Sequence, residues 1–283
     1  MTKLATPLVA IALALVVVAG AARAATGPDV QTERFLVDPR DNESLQRGAR
    51  LFVNYCQNCH SAKYMRYNRL TDIGLTEAQI AENLMFGGTF EESEDGAVRF
   101  SPVKVGDTMQ VAYRARDAKG WFGAAPPDLS VISRVRGAEW LYNYLLAFYR
   151  DEQSATGWNN LVFPNVGMPH VLWQLSGVNR LATAEFPTHE AAEGAAIAEK
   201  RLAAVVPAAD HKYVVRTLQP DTPGSMSPVE YRRAVGDLVN FLDYMGEPAK
   251  NARVRSGIVV LLYLVGLFAA AYWLKRAYWK DLH

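Results

Sequence analysis

Cys56-Gln57-Asn58-Cys59-His60 is the stretch around which this 283-residue chain is organised. Two thiols three positions apart, followed at once by a histidine, make the C-x-x-C-H pattern by which a c-type haem is attached. The thiols add across the two vinyl groups of the porphyrin, whose separation this spacing matches. His60 is then placed to give an imidazole nitrogen to the iron from one face. The chain has 2 cysteines and both lie in this motif, so the expectation is one covalently bound haem c. A thioredoxin-type redox pair would use the same residues, but no βαβ pattern surrounds them. A zinc site would need a second ligand pair, which two cysteines cannot supply.

Both ends of the chain are apolar. Lys3 precedes an uncharged run from Leu8 to Ala19, and Ala22-Arg23-Ala24 offers small residues where a signal peptidase reads. Residues 1–24 are therefore expected to be a signal peptide, with the mature chain starting at Ala25. At the other end, Ser256 to Leu274 is uncharged and just long enough to span a hydrocarbon core as a helix. Tyr272, Trp273, Tyr278 and Trp279 resemble an interfacial belt. The expected layout is a haem domain over 25–250, a membrane anchor over 251–275 and a short cytoplasmic tail over 276–283. The flanking cations are nearly balanced, so orientation follows from the signal peptide: haem domain in the bacterial periplasm, single pass through the inner membrane. Lys and Arg total 30 against 29 Asp and Glu, a balance that argues against nucleic-acid binding.

Along the chain, Asp41 to Ser44 supplies N-cap candidates for a helix with Leu45, Ala49, Phe52, Val53 and Cys56 on one face. Gly48 lies within it, where a small residue would let another helix cross closely. Thr76 to Phe86 reads as a second helix opened by a Thr76–Gln79 capping box. Phe90 to Gly120 reads as irregular, with an acidic cluster at Glu91, Glu92, Glu94 and Asp95 that reads first as solvated loop and alternatively as a docking surface for a basic partner. Gly137 to Arg150 reads as a helix with Trp140, Leu141, Tyr144, Leu145 and Phe148 inward. Residues 151–187 read as a structured loop, and Thr188 to Val205 as an alanine-rich helix. Ser227, Pro228 and Glu230 open the last soluble helix, whose apolar stripe is Tyr231, Val235, Leu238, Val239 and Leu242.

An iron held by His60 has a second axial position, and a thioether there raises its potential. Met65 is too close to the motif to reach the opposite face, and Met85 and Met245 read as core residues. Met226 and Met168 remain, each in a Gly/Pro-bearing loop, with Met226 favoured because it precedes the helix expected to cross at Gly48. His170, His189 and His211 keep bis-histidine ligation open. Arg134 and Arg136, on a segment that reads as strand-like, are candidates to meet the anionic propionates.

The chain resembles cytochrome c1, the haem subunit of the ubiquinol–cytochrome c oxidoreductase (bc1) complex. The resemblance is carried by Arg47-Gly48, Cys56 to Ser61, Tyr64 to Tyr67, Pro126-Pro127-Asp128-Leu129-Ser130, Arg134-Val135-Arg136, Pro223 to Ser227 and the tail anchor. Residues 151–187 match it poorly, and Gly224-Ser225 departs from the usual Pro-Ala-Thr-Met pattern. The resemblance implies Met226 as sixth ligand, with Pro127 and Arg136 in the haem pocket and Arg136 near a propionate. It also implies a mainly α fold: a class I c-type cytochrome haem domain with large loop insertions and one C-terminal transmembrane helix. The partners implied are cytochrome b, a Rieske iron–sulfur protein and a soluble or tethered cytochrome c, in a dimeric complex. The role implied is that of an electron-transfer subunit with no bond-making catalysis of its own. A tethered cytochrome serving another enzyme, and a sensing haem protein with an open sixth site, are the alternatives.

Overall fold

The computed structural model describes residues 29–92, 95–199 and 201–280. The expected signal peptide, 1–24, lies outside the described residues, as do Glu94 and the last three residues of the expected tail.

Helix α1 (Asn42–Leu51) starts where the Asp41 carboxylate accepts the Ser44 amide at 2.9 Å. It runs on into a π-helical turn, Phe52–Cys56, closed by the Gln57 amide on the Phe52 carbonyl at 2.9 Å. Such wide turns are rare and tend to occur at functional sites; this one carries the first cysteine of the motif. Leu45, Ala49, Phe52, Val53 and Cys56 are all buried, as their spacing predicts. Helix α2 (Glu77–Leu84) has the expected capping box, and α3 (Ala115–Phe122), α4 (Ile132–Arg136), α5 (Ala138–Leu146) and the short α6 (Trp173–Ser176) follow. After α7 (His189–Ala198) comes α8 (Pro228–Gly246), with Ser227 and Glu230 exchanging both bonds of a capping box.

Helices α1 and α8 cross at Gly48. A Cβ there would lie 2.1 Å from the Asp237 carbonyl oxygen and 2.7 Å from the Phe241 Cβ, so only glycine permits this approach. Beside the crossing, the Asp237 carboxylate accepts from Arg47 Nε at 2.6 Å and from Ser44 Oγ at 2.6 Å. Asn240 donates to the same hydroxyl at 2.8 Å. The Arg47 guanidinium is pushed up from its ordinary value, chiefly by its bond to Asp237. The main core, built from the inner faces of α1, α5 and α8, surrounds this crossing.

The mainly α expectation omits a four-stranded antiparallel sheet. Strands β1 (Asp29–Gln31), β2 (Ala62–Arg66), β3 (Gly88–Glu92), β4 (Val98–Pro102), β5 (Thr108–Met109), β6 (Phe148–Arg150), β7 (Trp158–Asn160), β8 (Gly177–Phe186), β9 (Ala203–Pro207) and β10 (Tyr213–Pro223) are present. The large sheet has the order β1-β9-β10-β8, and three two-stranded ladders pair β2 with β5, β3 with β4 and β6 with β7. Ala192 and Ala196 of α7 pack on Val205 and Val215 of the sheet.

Five expectations are corrected accordingly. The helix read over Thr188–Val205 stops at Ala198, and Val205 is in β9, because an alanine-valine run is apolar in either conformation. Residues 151–187 hold β7 and the ten-residue β8, whose partner β10 is distant in sequence and leaves no local signal. The stretch 90–120 holds the β3–β4 hairpin, β5 and α3. The helix read over Gly137–Arg150 ends at Leu146, and Arg134 and Arg136 sit on helix α4, not on a strand. Gly137, at φ +87°, separates α4 from α5.

Helix α9 (Lys250–Tyr278) has 29 residues and is long and apolar enough to cross a membrane. None of them is buried against the rest of the described chain. An apolar surface of that length requires lipid or partner helices around it.

Candidate haem site

Burial and local bonding together define what the C-x-x-C-H motif can do. Cys56 is buried at the end of the π turn, and Cys59 and His60 follow in a tight turn closed on the Cys56 carbonyl at 3.0 and 2.8 Å. Burial, with Cys59 nearby, pushes the Cys56 thiol up to about 12, and burial also raises Cys59. A redox-active pair needs the opposite, a stabilised thiolate, so the geometry disfavours dithiol chemistry.

His60 is aimed by Pro127. Its Nδ1 lies 2.8 Å from the Pro127 carbonyl oxygen, which can only accept, so Nδ1 carries the proton. Nε2 thereby keeps the lone pair that a ligand nitrogen needs. Burial pushes the ring below its ordinary value, against the opposing effects of the Pro127 carbonyl and Asp128, and so favours the neutral ligand form.

The Pro127 carbonyl is held in turn by a ladder between Pro126–Ser130 and the residues just after the motif. Leu129 donates to the Ser61 carbonyl at 2.8 Å, the Lys63 amide to Asp128 at 3.0 Å, and the Tyr64 amide to Ser130 Oγ at 3.1 Å. Asp128 also accepts the Ser130 amide at 2.9 Å. On the other side, the Tyr113 hydroxyl donates to the Cys59 carbonyl.

The second axial candidates separate clearly. Met226 is half-buried against the same core cluster that contains Cys56, and its amide donates to the Leu175 carbonyl at 3.1 Å. Met168 lies in a satellite cluster with Phe148, Trp158 and Val166, its sulfur 3.5 Å from the Tyr144 hydroxyl. Met65, Met109 and Met245 are buried core residues. His170 is buried, stacked on Phe148 at 4.8 Å, with Nε2 engaged by Ser176 at 2.8 Å. His189 stands on α7 against Tyr213, and His211 occupies the β9–β10 turn.

The two arginines also differ. Arg134 is paired with Glu247 at 2.9 Å. Arg136 lies over the rings of Trp140 at 5.0 Å and Phe163 at 5.6 Å and has no ion pair among the described residues. Two thiols, an oriented imidazole, a thioether on the same core and a cation without a carboxylate make a donor set that suits haem c. Leu51, Tyr55, Leu129, Ile132 and Leu146, half-buried at the edge of that core, supply apolar surface.

A sequence model of the Cytochrome C1 family matches residues 33–179, just over half of the chain. The chain belongs to the cytochrome c1 family. It shares 42% identity over 258 residues with the ammonia monooxygenase gamma subunit of Nitrosomonas europaea, covering 91% of this chain and 92% of that protein. With cytochrome c1 of Allochromatium vinosum the identity is 41% over 260 residues, covering 92% and 93%. With the mitochondrial cytochrome c1 haem protein of Neurospora crassa it is 28% over 249 residues, covering 86% and 63%. Cytochromes c1 are haem proteins of electron transport, and the candidate membrane helix α9 fits an anchored member of the family.

The family match spans Cys56, Cys59, His60, Pro127 and Arg136, whereas Met226 lies beyond it. Asp128 and Ser130 stand in the Pro126–Ser130 segment that carries the resemblance, but nothing in the sequence pairs them with Lys63 and Tyr64. Tyr113 carried no signal.

Proposed function

We propose that this chain is the haem subunit of a ubiquinol–cytochrome c oxidoreductase, taking one electron from a Rieske iron–sulfur protein and passing it to a c-type cytochrome. A haem attached to Cys56 and Cys59 supplies the one-electron couple. His60 would offer Nε2 to the iron because Pro127 occupies Nδ1, and Met226 would offer its thioether as the second ligand. Arg136 offers its guanidinium to a propionate. The half-buried apolar residues at the edge of the core that contains Cys56 exclude water, which with the thioether raises the potential. Helix α9 keeps the domain beside cytochrome b, in a dimeric complex, with the haem domain periplasmic and the tail cytoplasmic. The acidic segment from Glu91 to Asp95 is one docking patch for a basic partner.

The observation that carries this reading is the His60–Pro127 bond, in a motif whose Cys56 shares a core cluster with Met226. Its test is the near-infrared sulfur-to-iron absorption band and the midpoint potential of Met226→Ala beside Met168→Ala, in isolated membranes. Loss of the band and a large fall in potential in the Met226 variant alone supports the assignment. Sensitivity of Met168 instead, or of neither, refutes it.

The name of the Nitrosomonas relative favours a second reading, a tethered cytochrome serving a different oxidoreductase. Purification in mild detergent separates the two by whether cytochrome b and a Rieske protein accompany the chain.

A further inference from the structure

The loop that carries Met226 is seated by two glycines from segments far apart in sequence. A Cβ on Gly224 would lie 2.2 Å from the Gly177 amide nitrogen and 2.3 Å from the Leu175 carbonyl oxygen. A Cβ on Gly177 would lie 2.2 Å from the Thr222 carbonyl oxygen and 2.6 Å from the Gly224 amide nitrogen. Every atom in these contacts is backbone, so no side-chain rotation can relieve them. Gly177 is moreover at φ +80°, where an L side chain is strained.

Next to this contact, the Ser225 and Met226 amides donate to the carbonyls of Gln174 and Leu175 at 2.9 and 3.1 Å. The backbone of the methionine therefore hangs on α6. That short helix is held from behind. Ser176 Oγ donates to the Gly177 carbonyl at 2.7 Å, which leaves its lone pairs to accept the Nε2 proton of His170 at 2.8 Å. His170 is itself locked between the face of Phe148 and the edge of Trp158, with ring centroids at 4.8 and 5.2 Å.

We propose that the Gly177–Gly224 backbone contact, backed by α6 and the His170–Ser176 bond, is the device that holds the Met226 thioether in place. Residues 170–177 are then the second half of the axial-ligand site, and Gly177 and Gly224 are positioning residues. The inference rests on the reading of Met226 as the ligand. A methionine has three rotatable bonds and a soft, adaptable sulfur, so ligation depends on where its Cα is fixed. The same contact gives a reason for Gly224 where the resembled pattern has alanine: in this chain the added methyl would meet the amide that opens β8.

The test uses the full-length haem-loaded protein in isolated membranes. Readouts are the near-infrared sulfur-to-iron band, the midpoint potential, and haem retained by the denatured polypeptide on a gel. Met226→Ala comes first: a band that survives it sinks the ligand assignment itself, and with it any role for the glycines. With the band lost in Met226→Ala, Gly224→Ala is expected to retain its covalent haem, lose most of the band and fall in potential towards Met226→Ala. Gly167→Ala, beside Met168 with no atom within 4 Å of an added Cβ, is expected to leave all three readouts unchanged. A full band and an unchanged potential in Gly224→Ala would overturn the proposal. Should that variant fail to accumulate, Ser176→Ala decides, since it adds no atom. A weakened band with covalent haem retained supports the device, and an unchanged one refutes it.

Discussion

Gly48→Ala sets two physical effects of opposite sign against each other. In a helix interior, alanine is better than glycine by about 1 kcal/mol, so propensity alone predicts stabilisation. At this position, however, the new Cβ would fall 2.1 Å from the Asp237 carbonyl oxygen, about 1 Å inside the closest approach that real Cβ atoms make. The obstacle is backbone of α8, so the two helices must part. Overpacking of this kind costs about 1–3 kcal/mol. Parting also stretches the 2.6 Å bonds from Arg47 and Ser44 to the buried Asp237 carboxylate, and loosens the Phe52–Phe241 ring contact at 5.6 Å. Hydrogen bonds to a charged group are worth about 1.5–3 kcal/mol each, and part of that is lost. The net is a destabilisation of about 2–4 kcal/mol, or a fall in Tm of about 5–15 °C for a domain of this size. Far-UV circular dichroism of the detergent-solubilised protein measures it. Gly194→Ala on α7 is the control, because nothing lies within 4 Å of its added Cβ and the propensity gain should appear alone. A Tm for Gly48→Ala equal to or above that of the unsubstituted chain would refute the close crossing.

Burial pushes His170 down to about 4 from an ordinary 6.5, so between those values the unfolded chain binds the extra proton. The stability tied to keeping the ring neutral is fully present above pH 6.5 and is lost as pH falls through 4, about 3 kcal/mol in all; His170→Phe should flatten the stability–pH slope over that window relative to the unsubstituted protein. Asp128→Ala removes the acceptor of two backbone amides and should cost about 1–3 kcal/mol, with a lowered yield of haem-loaded protein as His60 loses its fixed carbonyl; unchanged haem loading contradicts the positioning ladder. Truncation after Ala249 removes α9, which has no buried residue, and gives up the Lys250–Asp243 and Arg253–Glu247 ion pairs and the Asn251 side-chain bond to the Pro39 carbonyl, contacts of the exposed kind that contribute little. The product should be folded and recovered in the aqueous fraction, and unfolding on truncation would show that α9 is part of the core.

What was legible in the sequence was local. The caps at Asp41, Thr76 and Ser227 and the apolar stripe through Leu45 and Ala49 each act within one or two helical turns, and each appears where its spacing indicates. Of the two methionine loops, the sequence favours Met226 through the helix that it precedes, and the packing adds that Met226 lies against the core of Cys56 and Met168 against a satellite cluster. The sheet was missed for a different reason. Strand β8 pairs with β10 across registers such as Leu181 with Leu218, and its faces are mostly half-buried, so it shows no clean alternation. β9 was lost inside an alanine-rich run that reads as helix until tertiary contacts decide.

These two kinds of legibility divide the proposed axial site itself. On the His60 side, the Cys56–His60 turn is local and readable as a motif, and a rigid Pro-Pro pair brings the Pro127 carbonyl to the imidazole from 67 residues away. On the Met226 side, the loop is placed by α6 and by a strand pairing that brings Gly177 onto Gly224. The first half is carried by a motif that the family match spans; the second depends on a sheet assembled from segments beyond or at the edge of that match. A change in the sheet can therefore reposition the thioether while leaving the attachment turn intact. Under the proposed ligation, that makes β8 and α6, rather than the C-x-x-C-H turn, the part of the fold through which the potential would be adjusted without loss of the haem.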